Sequence, residues 1–241
     1  INVSEALRDS CNYYFYEVGY RLATNNYSTA YNDSLGIEKL QKYASLFGLN
    51  ERTGIEIEEA VPQIANEFPV MAAIGQSNNN YTTVQLARYV TAVANEGTVY
   101  QYTLLNRLED SDGNVLQTFE PQVRNQIDVL DTEEWNAIHS GMRMVVENTK
   151  EFDGFPIEAA GKTGTAQQNL KRPNHALFVG YAPYDDPEIS IATRIAYGYT
   201  SHNAAKLARN VFAYYFNVEN EDELLNGQAA NGNSSSNEIS D

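Results

Sequence analysis

The chain contains the run Ala159-Ala160-Gly161-Lys162-Thr163-Gly164-Thr165-Ala166-Gln167. A single lysine stands between two glycines, and two threonines follow it. Glycine lets another backbone approach closely, and a lysine beside threonines can anchor a carboxylate through charge-assisted hydrogen bonds. Two apolar, β-rich segments come next in the chain. The run therefore predicts a strand over 157–167 that presents a binding site for an anionic group.

The letters Gly-Lys-Thr allow two functional interpretations. A phosphate-binding P-loop requires a glycine five residues before Gly161 and a helix that opens at the lysine. Pro156 occupies that position, and Lys171 to Asn174 indicate a turn between extended segments. A P-loop nucleotide binder is thus only a remote alternative. The second interpretation is the K-T-G element of serine enzymes that transfer acyl groups from D-alanyl peptides and react with β-lactams.

Composition limits the classes of function. The 241 residues carry a formal net charge of −16, which disfavours nucleic acid as a partner because phosphate binding needs a basic surface. No apolar run approaches the roughly 18 residues of a membrane span. The single cysteine, Cys11, excludes an internal disulfide and a thiolate metal cluster, and the three histidines lack metal-ligand spacing.

Hydrophobic periodicity predicts helices first and a sheet later in the chain. Residues 4–22 show a helical period that is broken at Ser10-Cys11-Asn12, where serine and asparagine favour caps and turns. The further predicted helices cover 35–46 with Ser34 as cap, 84–95, about 131–147, and 203–216. The predicted extended segments are short pieces around 55–57, a hairpin of 99–108 with 115–119, and strands over 157–167, 176–181 and 189–196. This order predicts an α+β (mixed α/β) fold, in which a helical block precedes antiparallel strands with a C-terminal helix packed on the sheet.

Ser10-Cys11-Asn12 has the form S-x-N, a second element of the penicillin-recognising acyl transferases. The same form recurs at residues 77–79, 201–203 and 235–237, so the three letters alone carry little weight. The surrounding run, residues 6–19, resembles the corresponding helix break of class B penicillin-binding proteins. Other stretches resemble that family in the same order, and they are residues 48–55, 73–76 with 82–87, 160–166, and 178–183.

The resemblance covers residues 1–216, which we expect to form part of a penicillin-binding/β-lactamase-like transpeptidase domain. Residues 217–241 are acidic and then rich in Asn, Ser and Gly, and this composition predicts a disordered tail. One family element is missing, because no serine in the chain is followed three residues later by lysine. The resemblance places the nucleophile in that S-x-x-K element. We therefore expect a piece of a longer parent protein that is inactive by itself.

The resemblance assigns a role to each matching residue. Ser10 would bridge the missing lysine and Lys162 and pass a proton to the leaving nitrogen, and Asn12 would orient the substrate amide. Lys162 would supply positive potential, while Thr163 and Thr165 would bind the substrate carboxylate. The Thr165 N–H would form half of an oxyanion hole, and Gly164 would leave room for substrate to add as a β-strand. The alternatives are helix caps for Ser10 and Asn12, an exposed edge lysine, and threonines present for β-propensity.

The resemblance implies peptidoglycan cross-linking by a D,D-transpeptidase that acts on stem peptides ending in D-Ala-D-Ala and needs neither a metal nor an organic cofactor. β-Lactams and the cell-wall synthesis machinery would be its partners, and the parent would be anchored at the extracytoplasmic face of the cell membrane. A β-lactamase, a D,D-carboxypeptidase, a penicillin sensor without turnover and a non-enzymatic scaffold are alternatives with the same fold. The stretch around Gly75-Gln76 favours the transpeptidase.

Overall fold

A computed structural model describes residues 1–168, 170–220 and 224. The chain divides into two compact units, the first comprising Ile1–Cys11 with Thr132–Asp241 and the second comprising Asn12–Asp131. The helices in chain order are α1 (Val3–Arg8), α2 (Asn12–Ala23), α3 (Asp33–Leu46), α4 (Pro69–Ala72), α5 (Thr83–Ala94), α6 (Thr132–Glu147) and α7 (Ser201–Tyr215). The strands are β1 (Thr98–Gln101), β2 (Arg107–Glu109), β3 (Val115–Thr118), β4 (Gln122–Gln126), β5 (Ala160–Ala166), β6 (His175–Ala182) and β7 (Ile189–Ile195).

The first unit is built on an antiparallel sheet of β5, β6 and β7 in that order. Helix α7 covers one face of this sheet, and the Thr193 hydroxyl of β7 donates to the Ala204 carbonyl of α7 at 3.0 Å. Small side chains at helical spacing let α7 approach the sheet closely. The buried residues of this core are Val146, Phe152, Ala159, Ala176, Phe178, Ala182, Ala204, Ala205, Ala208 and Phe212.

Two glycines make room for the buried ring of Phe178. Gly161 of β5 pairs with Gly180 of β6. A Cβ on Gly161 would lie 2.3 Å from Phe178 Cζ, and one on Gly180 would lie 2.7 Å from Phe178 Cε1. Phe178 is completely buried and stacks on Phe152 with ring centroids 5.7 Å apart. The glycine before the lysine is thus required by packing within the fold.

Helix α1 is fixed against α6. The Ser4 hydroxyl donates to the Ala137 carbonyl at 2.6 Å. A Cβ on Gly141 of α6 would lie 2.8 Å from Leu7 Cδ1, so the absence of a side chain at this position permits the close crossing. Because α6 also packs against β5, the end of α1 is held in a defined position within the first unit.

The second unit combines helices α2 to α5 with two short antiparallel ladders, β1 with β4 and β2 with β3. Its largest fully buried side chain is Arg88 of α5, which is 1% exposed. The Arg88 guanidinium donates to the Gly48 carbonyl and lies 3.4 Å from the Arg52 carbonyl. This contact closes the turn after α3 onto α5. Burial lowers the pKa of Arg88.

The predicted fold class is confirmed, as are the break after α1 and the three strands of the main sheet. Three local predictions are wrong. Asn32 caps α3 by accepting from the Leu35 N–H at 3.3 Å, so Ser34 lies inside the helix. Residues 55–57 form no strand in the described structure.

The predicted strand over 99–108 is also wrong, because it is divided into β1 and β2 with different partners. The Leu104 N–H donates to the Glu56 carboxylate at 2.8 Å instead of to a strand. Of the predicted tail, residues 217–220 follow α7, and Glu219 pairs with Arg209 there. Apart from Leu224, the remainder of the tail lies outside the described residues.

Candidate active site

The structure brings Ser10 and Lys162 together although they are 152 positions apart in sequence. Lys162 Nζ donates to Ser10 Oγ at 2.5 Å. Both residues are half-buried and both belong to the first unit. Ser10 follows α1, and Lys162 is the third residue of β5. The contact therefore joins the end of a helix to the edge of the sheet.

Ser10 adopts a backbone conformation that normally selects glycine. Its φ is +47°, the Ser10 N–H donates to the Leu7 carbonyl at 3.3 Å, and the Cys11 N–H donates to the Ala6 carbonyl at 2.9 Å. These two bonds define a Schellman motif, whose left-handed position is usually glycine. A left-handed residue with a Cβ costs roughly 1–2 kcal/mol. The serine is retained at this cost, and its hydroxyl contacts Lys162.

Lys162 is surrounded by oxygen atoms. Besides Ser10 Oγ, its ammonium group lies 2.9 Å from the Thr163 carbonyl oxygen and 3.3 Å from Thr163 Oγ1. An edge lysine that served only solubility would extend into water. Lys162 instead is half-buried and places its charge beside two hydroxyl groups.

Strand alternation determines where the other candidate residues lie. Thr163 pairs with Phe178 and Thr165 pairs with Ala176, so the two threonine side chains share one face, while Lys162 and Gly164 share the other. Because the Thr163 carbonyl accepts from Lys162, it points away from β6. Backbone groups repeat every two residues along a strand, so the Thr165 N–H points to the same edge. In the described sheet, β5 pairs with β6 alone.

The second glycine of the run differs from the first. A Cβ on Gly164 would meet Leu177 Cβ at 3.6 Å, which is ordinary van der Waals contact. The corresponding atom on Gly161 would overlap with Phe178. The fold therefore requires glycine at Gly161 but not at Gly164, and any requirement at Gly164 arises from what lies against the strand.

Asn12 belongs to a different unit from Ser10 and Lys162. It is the exposed first residue of α2 and belongs to the second unit. The first unit brings together Ser10, Lys162, Thr163, Gly164 and Thr165, and Asn12 follows Ser10 by two positions in the chain.

A group of side chains at the end of β5 was not predicted as part of the site. His175, opposite Ala166, is buried, and its Nδ1 accepts from the Tyr197 N–H at 3.0 Å. A backbone N–H can only donate, so Nδ1 is the unprotonated acceptor. In the neutral ring the proton is therefore on Nε2, which donates to Gln168 Oε1 at 2.8 Å. Burial and the neighbouring Arg194 lower the pKa of His175. No local pattern in the sequence indicates the partners of His175, which come from the turn after β5, from β7 and from the residues that follow β7.

The structure around Lys162 also decides the P-loop alternative. Lys162 lies inside β5, and the residues described after it continue as a strand and a turn, so the helix that a P-loop requires is not formed. The P-loop alternative is therefore wrong. In the part of the chain that the structure describes, no helix is both long and apolar enough to cross a membrane.

Comparison with known proteins gives one consistent result. Residues 1–213 match the family model described as the penicillin-binding protein transpeptidase domain. Peptidoglycan D,D-transpeptidase MrdA of Haemophilus influenzae is 30% identical over 90% of this chain and 36% of its own length. Penicillin-binding protein 2A of Bacillus subtilis is 25% identical over 96% of this chain and 36% of its own length. The chain thus spans about a third of these relatives.

Solved structures show the same fold. Penicillin-binding protein 2B from Streptococcus pneumoniae superposes with a TM-score of 0.78 at 24% identity, covering 91% of this chain and 39% of that protein. Penicillin-binding protein A from M. tuberculosis, as an imipenem acyl-enzyme complex, gives a TM-score of 0.75 at 22% identity over 90% of this chain and 47% of that protein.

Proposed function

Because the chain belongs to the family of penicillin-binding protein transpeptidase domains, we propose that it forms the K-T-G and S-x-N part of a peptidoglycan D,D-transpeptidase. The reaction is acyl transfer: a serine attacks the carbonyl of a D-Ala-D-Ala terminus, D-alanine leaves, and an amine of a second peptide takes the acyl group. The observation that carries the proposal is the Ser10–Lys162 contact at 2.5 Å, made by a serine held in a backbone conformation that favours glycine.

The Ser10–Lys162 pair supplies a path for a proton. A hydroxyl bonded to an ammonium group can accept a proton on one side and donate one on the other, which general acid catalysis of a leaving amine requires. Ser10 passes a proton toward the departing nitrogen, and Lys162 keeps the local potential positive. The hydrogen bond from Lys162 holds the Ser10 hydroxyl in place. Asn12 orients the substrate amide through its two-sided side chain.

Strand β5 supplies the binding surface. The substrate adds along its edge by backbone hydrogen bonds, and the missing side chain at Gly164 allows the close approach. The terminal carboxylate is bound by the hydroxyls of Thr163 and Thr165 beside Lys162. The Thr165 N–H donates a hydrogen bond to the oxyanion. One such donor stabilises the transition state by roughly 3–4 kcal/mol in comparable sites.

Acyl transfer also needs a nucleophile, and the 241 residues contain no Ser-x-x-Lys sequence. The chain must therefore act together with a segment that carries one. β-Lactams would acylate that serine as substrate mimics. Penicillin-binding protein PBP2 of Helicobacter pylori, a solved structure with a similar fold, is described in complex with MreC, and another such structure is described within a peptidoglycan synthase complex. By analogy with these two complexes, the protein would bind a partner in the cell-wall synthesis machinery at the outer face of the cytoplasmic membrane.

The alternatives with the same fold are less well supported. The relatives carry the names of transpeptidases and penicillin-binding proteins, which favours transfer over the β-lactamase, carboxypeptidase and sensor interpretations.

The test uses a hybrid in which the Ser-x-x-Lys segment of the Haemophilus influenzae relative is joined in front of Ile1. The hybrid should be labelled covalently by a fluorescent penicillin, and Lys162→Ala should slow the labelling at least about 100-fold. Lys206→Ala, which removes an exposed lysine of α7, is the matched control. Equal labelling rates for Lys162→Ala and the unmodified hybrid, with unchanged circular dichroism, would exclude the proposed role of the lysine.

A further inference from the structure

Three tyrosine rings contact one another on the surface of the second unit, and we call them the tyrosine cluster. Tyr20 lies in α2, and Tyr27 and Tyr31 lie in the segment between α2 and α3. The centre of the Tyr20 ring lies 5.5 Å from that of Tyr31, with the two planes 28° apart, and 5.9 Å from that of Tyr27. Tyr20, Tyr31 and Tyr27 are 41%, 45% and 56% exposed, so the cluster presents aromatic surface to solvent.

Polar contacts hold the rings of the tyrosine cluster in place. The Tyr31 hydroxyl donates to Asp33 Oδ1 at 2.8 Å, and the Tyr27 hydroxyl donates to the Glu17 carboxylate. Arg21 pairs with Glu17 at 2.8 Å, and its guanidinium lies 5.3 Å from the centre of the Tyr27 ring. The rings therefore keep a fixed arrangement although about half of their surface is open to water. A surface that is ordered before binding loses less entropy when a ligand arrives.

The loop that carries Tyr27 has a strained backbone. Asn25, Asn26 and Tyr27 are consecutive and have φ values of +46°, +55° and +64°. Residues with a side chain adopt this left-handed conformation singly, and a run of three is costly. The buried Thr24 hydroxyl accepts from the Tyr27 N–H at 3.1 Å, and Lys39 Nζ donates to Asn25 Oδ1 at 2.8 Å. Strain of this kind persists where the surroundings fix it, and ligand clamps are typical places for it.

The surroundings of the cluster indicate the class of ligand. The core of a protein–protein interface is enriched in Phe, Trp and Met as well as in Tyr. Between residues 12 and 50, all of which the structure describes, the large hydrophobic side chains that are exposed are all tyrosines, namely Tyr13, Tyr20, Tyr27, Tyr31 and Tyr43. The exposed residues beside the rings that carry amide or hydroxyl groups are Asn25, Asn26, Ser28, Thr29 and Asn32.

An uncharged sugar chain matches this combination. A pyranose ring has an apolar C–H face that stacks on an aromatic ring, and its hydroxyl and acetamido groups form hydrogen bonds with amides and hydroxyls. Tyrosine suits both contacts because an apolar ring carries a polar tip. The charges beside the rings also cancel, since Glu17 and Asp33 are offset by Arg21 and Lys39. The cluster therefore favours a neutral ligand over an ionic one.

The position of the cluster along α2 agrees with the proposed substrate. Helix α2 begins at Asn12, which the proposed function assigns to the substrate amide. Tyr20 follows eight residues later, about 12 Å along the helix axis. About four extended peptide residues cover that distance. In peptidoglycan, a short stem peptide joins the D-Ala-D-Ala terminus to a chain of β-linked, N-acetylated sugars.

We propose that the tyrosine cluster is a binding site for the glycan strand of peptidoglycan, whose sugar rings stack on Tyr20, Tyr27 and Tyr31. The sugar class is argued from the cluster itself, whereas the identity of the strand rests on the proposed function. The site holds the substrate without taking part in acyl transfer. It selects stem peptides that are attached to a glycan over free peptides.

The test measures binding of chitopentaose, a β-linked chain of N-acetylglucosamine, to the 241-residue chain by ¹H–¹⁵N NMR titration. The amide signals of residues 24–32 should shift. Maltopentaose, an α-linked chain without acetamido groups, should bind at least about fivefold more weakly. Tyr20→Ala should weaken chitopentaose binding about fivefold, because it removes one ring contact. Tyr31→Ala should have the same effect, and it keeps the test valid if Tyr20→Ala does not fold.

Two control variants separate the rings from other effects of substitution. Tyr20→Phe keeps the ring and should bind chitopentaose as the unmodified chain does. Tyr43→Ala removes a tyrosine of α3 that is 48% exposed and lies outside the cluster, and it should leave binding unchanged. Circular dichroism checks that each variant is folded.

A parallel titration with acetyl-Glu–D-Ala–D-Ala, which should shift Gly164 and Thr165, distinguishes this inference from the proposed function. Peptide shifts without chitopentaose shifts would overturn the inference and leave the proposed function standing. Chitopentaose shifts without peptide shifts would support the sugar site and contradict the proposed function. No shift with either probe would overturn both. Equal binding of maltopentaose, or equal losses in Tyr20→Ala and Tyr43→Ala, would reject the assignment to a glycan strand.

Discussion

The two glycines that flank Lys162 should respond in opposite ways to alanine. In Gly161→Ala the new Cβ lies 2.3 Å from Phe178 Cζ and 2.7 Å from the Val179 carbonyl oxygen. The ring is fully buried and stacked on Phe152, so it cannot move without disturbing the core. Overpacking of this kind costs about 1–3 kcal/mol.

In Gly164→Ala the new Cβ makes an ordinary contact at 3.6 Å. Replacing glycine at a compatible position restricts the unfolded chain and stabilises by about 0.4–1 kcal/mol. The two variants, three residues apart in one strand, should thus differ in free energy of unfolding by about 1.4–4 kcal/mol.

Equilibrium unfolding in urea measures this difference, and NMR titration with acetyl-Glu–D-Ala–D-Ala measures binding. Gly164→Ala should be at least as stable as the unmodified chain yet bind the peptide more weakly, since its methyl group occupies the surface that the substrate approaches. If Gly164→Ala binds the peptide normally, or if the two variants are equally destabilised, the reasoning about this strand is refuted.

Three further predictions concern other parts of the first unit. Ser10→Gly should be about 1 kcal/mol more stable than Ser10→Ala in urea unfolding, because both lose the hydroxyl but only glycine relieves the left-handed conformation; equal stabilities would contradict the strain. The pKa of His175 is lowered from its ordinary 6.5 in the folded state, so its contribution to stability is complete above pH 6.5 and is lost as the pH falls below it. The unmodified chain should therefore lose stability more steeply than His175→Gln on acidification, by at most about 1.4 kcal/mol per pH unit, and parallel curves would argue against this assignment. The 241-residue chain alone should not be labelled by a fluorescent penicillin, since it contains no Ser-x-x-Lys sequence; covalent labelling in denaturing electrophoresis would show another nucleophile.

Local patterns in the sequence were sufficient for most elements. The helical period, the break at Ser10, and the apolar runs of β6 and β7 are properties of consecutive residues, and the structure reproduces them. The hairpin turn was also predictable, because Asp110 accepts from the N–H groups of Asp112 and Asn114 at 2.9 Å each, which is local turn chemistry.

Long-range pairing was not predictable from the same signals. Strand β1 pairs with β4, and the residues between them form a separate ladder. The division of this region into two ladders goes with long-range bonds such as the one that the Leu104 N–H donates to the Glu56 carboxylate, between residues 48 positions apart. The contacts of His175 likewise depend on the sheet register and on the loop after β7. The juxtaposition of Ser10 and Lys162 was expected only through the family resemblance, since neither residue carries a local signal for the other.

A double-mutant cycle between Ser10 and Lys162 tests the central claim most directly. Ser10→Ala, Lys162→Met and the double variant are compared by urea unfolding of the 241-residue chain. A hydrogen bond that involves a charged group contributes about 1.5–3 kcal/mol. Because Ser10 and Lys162 are both only half-buried, solvent screening reduces the expected coupling energy to about 1 kcal/mol. Coupling of that size would support a shared site, whereas effects that add to within about 0.3 kcal/mol would show that the two residues do not interact.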